Sequence, residues 1–481
     1  MSIVSITTTD SFIEEKRYIF DVLFKDFLGV DYELLTKDNI DHYEIAINTI
    51  DIRKTLIVTD VFFSSSKDCW LNEKSLPNLP LQKCDLNNVS INPTLVKTII
   101  PVIYGSQLVN GSYGNFQDNN TVKLGIDIFG SCFFMLTRYE ETVIKEKDDH
   151  GRFDTKHSVA WKEKFIDRPI VNEYLEILWA SIQFLDKNIE RKKRKFDFKI
   201  SHDVDKPFLY YNQKYYTFFR RTLSKWWHNQ IDTLTFSNSI VKFLIVKILG
   251  YKNDPYYVFD WIMNECENVS TKTTFNFITD SHDIDIDCDY SIMDKRMRKL
   301  LKRINQREHC IGLHPSYYTM NNFEKTKNEF NNLVSACKLE NIDQNEWPSR
   351  QHYLRFDLPE MWQRLNDTGL STDSSLSFAD MAGFRCGTCY PYHTFNLLTK
   401  QKLKLIEVPL IVMEWSVLAE KYMNIKNSDE AYLTINSLIK KCYQFSGCFT
   451  LLWHNHLLDN EDRKNLFIKI LRDSSSLKNY K

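Results

Sequence analysis

Apolar residues recur along the chain in two rhythms, and each predicts its own kind of element. Thr55–Phe63 (TLIVTDVFF) is a short apolar run that reads as a strand. Gly125–Glu141 (GIDIFGSCFFMLTRYEE) carries apolar residues at roughly helical spacing over its second half. Pro169–Leu185 reads as an amphipathic helix with a proline near its start. Beyond residue 195 the two rhythms alternate. Strands are expected at Phe196–Ser201, Thr273–Ile278, Cys310–Leu313, Tyr353–Phe356, near Thr372, at Leu403–Val408 and at Cys448–Trp453. Helices are expected at Met293–Ile304, Phe323–Cys337, Pro359–Leu365, Glu430–Tyr443 and Asp462–Leu471. That alternation predicts a parallel α/β sheet or barrel, with functional groups at the C-terminal ends of the strands.

The basic run Arg191–Lys195 (RKKRK) reads as a solvated linker and marks a boundary. It separates a smaller α+β N-terminal domain, 1–190, from a second domain, 196–475. Between the first two strands of the second, Lys206 to about Tyr257 is a long insertion. Its tyrosines, phenylalanines and tryptophans are interleaved with Lys and Arg. It reads as a helical hairpin packed on the barrel, with a lid over sugar or a membrane-surface contact as the functional alternatives.

Composition removes several classes. At 481 residues the chain has room for about three average domains. Gly 13 and Pro 12 exclude collagen-like and low-complexity chains. Lys+Arg 62 against Asp+Glu 63 gives a net charge of −1, so no overall charge recommends nucleic acid. The N-terminus lacks a basic, then apolar, leader pattern, and no signal peptide is expected. Ile240–Leu249 is interrupted by Lys242 and Lys247 and is too short and too charged to span a bilayer. The 11 cysteines are scattered, and the CGTC at 386–389 has no second pair to make a zinc knuckle. Reduced thiols in the cytoplasm are the expectation.

The chemistry sits at the strand ends. Asp203 and Asp205, in His202-Asp203-Val204-Asp205, are two apart, so extended backbone turns both carboxylates to one face. One of such a pair can hold a metal while the other takes a proton; a turn-capping role is the plain alternative. His314, in Gly312-Leu313-His314-Pro315, is held by a stiff backbone and suits a zinc ligand. His454, in Leu451-Leu452-Trp453-His454-Asn455-His456, ends a buried apolar run and suits a general acid, with His456 its nearest rival. His352 precedes the fourth strand candidate, and Arg385 follows a short apolar piece. Each signal alone has a structural explanation; Asp, His, Arg and His in succession beside the strands of one α/β unit form a metal-hydrolase constellation. The acidic alternation Asp280, Asp283, Asp285, Asp287, Asp289 lacks the EF-hand pattern and reads as a solvated loop. Asp373 reads as a cap or an orienting group, and Glu407 and Glu414 flank a strand with no assigned role.

At these residues the chain resembles the polysaccharide deacetylase family, the NodB-homology carbohydrate esterases. The closer likeness is to a subgroup with HDVD, GLHPSY, RQHYLRF, GFRxGT and LLWHN, found here at His202–Asp205, Gly312–Tyr317, Arg350–Phe356, Gly383–Thr388 and Leu451–Asn455. That subgroup also has an extra N-terminal domain, whose IFxxxFFxLxRYEE and RPIVNEY segments resemble Ile128–Glu141 and Arg168–Tyr174. The resemblance implies an irregular (β/α)7 barrel and a metal-dependent hydrolase. Two departures stand out: Val204 separates aspartates that are adjacent in the common family, and Tyr318 stands where the common family has a second histidine.

The expectation is one divalent metal, zinc, held by Asp205, His314 and His352, with His202 the second candidate for the third ligand. Asp203 is expected as base and His454 as acid. Arg385 is expected in the catalytic machinery, fixing a carboxylate or a sugar hydroxyl, with Tyr317 and Asn455 as substrate contacts. The expected reaction removes an N-acetyl or similar acyl group from an amino sugar in a glycan or glycan precursor. A same-fold amidohydrolase acting on a small C–N substrate and a non-catalytic glycan-binding relative are the alternatives. The expected partner is a carbohydrate, without nucleic acid or a transmembrane segment; peripheral membrane contact and oligomeric state stay open.

Overall fold

The computed structural model describes residues 3–48, 53–65, 67–87, 89–109, 111–116, 118, 120–281 and 283–479. Its contacts divide the chain into two compact units. The first comprises Met1–Asp197, Leu354–Ile411 and Ser437–Phe449; the second comprises Phe198–Tyr353, Val412–Asn436 and Thr450–Lys481.

The first unit holds a six-stranded mixed sheet. Its spatial order is Tyr32–Thr36, Ile3–Thr8, His42–Asn48, Arg53–Thr59, Thr121–Leu124 and Gly114–Asn115. Helix Ile128–Leu136 is buried on every side, and Asp127 caps it by accepting from Gly130 N at 2.8 Å. Phe129 from this helix meets Phe20 and Tyr43 edge to face, at 4.9 Å in both pairs, the geometry aromatic quadrupoles favour. The expected helix near Pro169 spans Ile170–Leu185. The segment Leu354–Ile411 adds the antiparallel pair Tyr392–Asn396 and Gln401–Glu407, with Thr372–Asp373 parallel to the latter.

The second unit is built on a largely parallel sheet. Its strands are β1 (Asp197–Val204), β2 (Thr273–Phe277), β3 (Cys310–Leu313), β4 (Pro348–Ser349), β5 (Val412–Met413) and β6 (Cys448–Leu452). Their order is β4-β3-β2-β1-β6-β5. Strands β1 to β4 pair in parallel, as do β5 and β6. β6 is buried at all five positions, as expected for a strand covered on both faces. Helix Lys295–Gln306 covers the sheet with Met297, Leu300, Leu301 and Ile304, the i, i+3, i+4, i+7 stripe of an amphipathic helix. The insertion after β1 forms two helices, α1 (Tyr215–Trp227) and α2 (Thr233–Leu249).

Two expectations change. The first strand runs to Val204, so Asp203 lies within it and Asp205 follows its end. No strand forms at Tyr353–Phe356: Tyr353 and Leu354 have φ of 59° and 53°, left-handed values that break extended pairing. The strand falls earlier, at Pro348–Ser349.

Candidate functional site

Along β1 the pleat places Ser201, Asp203 and Asp205 on one side and His202 and Val204 on the other. His202 is therefore directed away from the carboxylates. It is stacked on Phe275 and donates Nδ1–H to the Trp453 carbonyl at 2.6 Å. Burial lowers its pKa to about 3, and as a ligand candidate it is set aside.

Asp205, His314 and His352 converge. One ligand atom from each lies within 4.8 Å of the others. His314 Nε2 is 3.3 Å from Asp205 Oδ1, and His352 Nε2 is 3.8 Å from the same oxygen. Both imidazoles are held from behind. His314 Nδ1 is 2.5 Å from the Arg350 carbonyl, and His352 Nδ1 is 2.9 Å from Asp287 Oδ1. A carbonyl accepts only, so His314 Nδ1 carries the proton and Nε2 presents its lone pair to the cluster. Asp287 gives His352 the same polarity and also accepts from Tyr317 N at 2.8 Å. Asp287, expected in a solvated loop, is instead 1% exposed.

Asp203 sits beside this cluster. Its Oδ1 accepts from Asn276 Nδ2 at 2.8 Å and from Arg350 Nη1 at 3.1 Å; its Oδ2 is 3.7 Å from His314 Nε2. Gly312 makes room for Asn276, since a Cβ there would lie 2.1 Å from the Asn276 amide oxygen. Burial opposes ionisation of both aspartates. The facing side chains reverse this: His314 and Arg350 hold Asp203 below its ordinary range, and His352, His314 and His454 hold Asp205 well below it.

His454 approaches from β6, which lies beside β1 in the sheet. Its Nε2 is 3.6 Å from Asp205 Oδ2, and Glu414 Oε1 accepts from both its Nδ1 (2.6 Å) and its backbone N–H (2.7 Å). Burial would lower this imidazole, but Glu414, Asp205 and Asp203 together push it up to about 10. His456, the rival acid, is lowered to about 3 by burial, with Nδ1 unpartnered among the described residues.

The other expected contacts are placed as follows. Tyr317 is half-buried and meets Tyr353 edge to face at 5.3 Å; Tyr353 in turn lies 4.7 Å from the His352 ring. Asn455 Nδ2 donates to the carbonyls of Lys206 (2.9 Å) and Tyr256 (3.0 Å), so its amide fastens the two ends of the insertion. Arg385 belongs to the first unit, and its guanidinium is taken up there. Nε and Nη2 donate to Glu141 at 2.9 and 2.5 Å, and Nη1 donates to the Ser377 carbonyl at 2.8 Å. Glu141 is shared with Arg138, whose Nε donates at 2.8 Å. Sequence reasoning missed Asp287, Glu414, Arg350 and Asn276. Asp287 stood in the acidic alternation, Arg350 in the RQHYLRF segment and Glu414 next to a strand, none of them with an assigned role.

A divalent cation suits the donor set. Asp205 Oδ1 and His314 Nε2 are buried without hydrogen-bond partners among the described residues, a costly state for polar atoms that a cation relieves. Carboxylate with imidazole, each imidazole backed by an acceptor, is the donor chemistry of zinc and related ions.

Comparison with known proteins adds the following. Residues 4–187 match a family described as "Family of unknown function (DUF7033)". No protein with a curated description matches the chain. Among solved structures the chain is similar to a "putative polysaccharide deacetylase from Mycobacterium smegmatis". Identity is 12%, over 59% of this chain and 85% of that one, with a TM-score of 0.38. It is also similar to "Puue Allantoinase", with 12% identity over 45% and 66% of the two chains and a TM-score of 0.32.

Proposed function

We propose that this chain is a metal-dependent hydrolase that removes an N-acetyl or similar acyl group from an amino sugar in a glycan or glycan precursor. The observation that carries the reading is the convergence of Asp205, His314 and His352, with Asp203 and His454 beside them. The second unit is read as the core of an irregular (β/α)7 barrel of the deacetylase type. All 11 cysteines are free thiols, which supports a reducing, cytoplasmic setting.

Asp205, His314 and His352 would hold the metal. A bound divalent ion would supply Lewis-acid polarisation of the acyl oxygen and neutralise developing negative charge. The rest falls to side chains. Asp203 is ionised and held by Asn276 and Arg350, so it can accept the proton of the attacking water. His454 enters protonated, supported by Glu414, and donates to the departing amine nitrogen, since an amide anion is a poor leaving group. Tyr317 and Tyr353 are half-buried rings beside His352 against which a sugar can pack.

The test is a panel of N-acetylated amino sugars, followed by acetate release, and cyclic amides, followed by appearance of the ring-opened acid, with zinc removed and restored. Acetate release from an amino sugar that stops on chelation and falls on the order of 10²–10⁴-fold in Asp203→Asn supports the reading. Activity confined to cyclic amides would assign the small-substrate alternative. Release that is indifferent to chelation would overturn metal dependence.

A further inference from the structure

The insertion after β1 packs only half of itself. Its inner faces form a small core of Tyr210, Phe218, Phe243 and Val246, with the Phe218 and Phe243 rings stacked at 3.8 Å. Within α1 only Phe218 and Thr222 are buried, and within α2 only Phe243 and Val246. At about 3.6 residues per turn, Leu234, Val241, Ile245 and Ile248 fall on the side of α2 opposite Phe243. On α1, Tyr216, Leu223 and Trp227 fall opposite Phe218 in the same way. These outward residues are bare: Trp227 is 75% exposed, Leu234 70% and Ile248 78%. Of the 23 exposed large hydrophobic residues in the described chain, 11 lie between Tyr215 and Leu249. A surface helix has one apolar stripe; a helix with two has a second surface to cover.

The charge around this face selects what covers it. Residues 214–252 carry seven Lys and Arg and a single acid, Asp232, a segment charge of +6 in a chain whose net charge is −1. Lys247 is spent inside the hairpin, donating to the carbonyls of Tyr211 and Gln213 at 2.7 and 2.6 Å. Lys214, Arg220, Arg221, Lys225, Lys242 and Lys252 are exposed. Aromatic and branched apolar side chains bordered by free cations match a bilayer interface. There the rings sit at headgroup depth and the cations meet anionic lipid. No helix among the described residues is long and apolar enough to cross a membrane, so this geometry is that of a hairpin lying in the plane of the surface.

We propose that the α1–α2 hairpin docks the protein on an anionic lipid surface, with Tyr216, Leu223, Trp227, Val241 and Ile248 entering the interface. The inference does not depend on the chemistry assigned to the metal cluster. It is tested by flotation of the full chain with vesicles of phosphatidylcholine alone or mixed with phosphatidylserine, at low and high salt. The expected result is partition to the anionic vesicles on the order of tenfold or more above the neutral ones, weakened by salt. Two outward double variants, Val241→Asp with Ile248→Asp and Arg220→Glu with Lys242→Glu, should each lose that partition while keeping the wild-type circular dichroism. Both alter exposed positions and spare the hairpin core. Failure of the wild type to float, or equal flotation of wild type and variants, overturns the proposal. So does a wild-type dimer in light scattering that Val241→Asp with Ile248→Asp dissolves without any vesicle binding, which would assign the face to self-association.

Discussion

Replacing Arg385 with methionine should weaken the first unit by about 3 kcal/mol while leaving the metal cluster intact. The magnitude comes from Glu141. Arg385 donates two of the three charged hydrogen bonds that Glu141 receives, and Arg138 donates the third. Burial alone would raise the Glu141 pKa, yet Arg385 and Arg138 bring it from an ordinary 4.5 down to about 2. That difference corresponds to about 3 kcal/mol of preferential stabilisation of the ionised form in the folded state, of which Arg385, with two of the three bonds, supplies about 2 kcal/mol. The Ser377 carbonyl loses its donor as well, for about 1 kcal/mol. Because the folded pKa lies below the unfolded one, this stability is present above about pH 4.5 and is lost as pH falls toward about 2. Urea unfolding followed by tryptophan fluorescence should show an earlier midpoint in Arg385→Met and a flatter acid-side pH dependence. Adding Glu141→Gln removes the stranded charge and should recover part of the loss. Zinc content per folded molecule should match wild type in both. An unchanged unfolding midpoint accompanied by lost turnover would refute this reasoning and return the guanidinium to the chemistry.

Three further outcomes are expected. Asp287→Asn leaves His352 poorly oriented and should weaken zinc affinity about 10–100-fold in competition with a chromogenic chelator; unchanged affinity would remove Asp287 from that role. Glu414→Gln should keep zinc but lower turnover on an acetamide substrate by on the order of 10²-fold, with a much smaller effect on an activated ester whose leaving group needs no proton; equal losses would count against His454 as the acid. Gly312→Ala should displace Asn276 from Asp203 and destabilise the second unit by about 1–3 kcal/mol in thermal unfolding, and a wild-type Tm would show that the neighbouring side chain yields.

The groups that converge were legible because their chemistry announces itself at strand ends. Two carboxylates in a two-residue period and histidines closing apolar runs point to one rim once the sheet is parallel. Their supports were not legible, because a support is defined by its partner. Asp287 sits in an acidic alternation that composition reads as solvated, and only the fold brings Tyr317 N and His352 to it. Glu414 had a position without a role until β5 and β6 paired and set it under His454. Arg385 showed the limit in the other direction. Its motif follows the chain order expected of a site residue, yet its carboxylate partner, Glu141, lies in the N-terminal segment. Thr388 and Cys389 likewise bond Asn172, and Gly387 accepts from Val171. Reading along the chain placed a boundary near residue 190, and the first unit also takes Leu354–Ile411 and Ser437–Phe449 from beyond it. The strand expected at Tyr353–Phe356 was misplaced because a two-residue strand such as Pro348–Ser349 has almost no rhythm to show.

The fastening at the root of the insertion has a consequence for how such a chain can change over generations. Asp254 gathers the N–H groups of Leu209, Tyr210, Tyr211 and Tyr256, and Asn455 clasps the carbonyls of Lys206 and Tyr256. Entry and exit are thus tied off by two side chains, and beyond the knot the hairpin has a small core of its own, Tyr210, Phe218, Phe243 and Val246. Lengthening a loop that is already closed costs little, because closure entropy grows only with the logarithm of its length. The hairpin can therefore be shortened, extended or exchanged for another while the residue after His454 keeps its grip. Lineages would vary this appendage readily and hold the two clasps fixed, as a graft is renewed above an unchanged union.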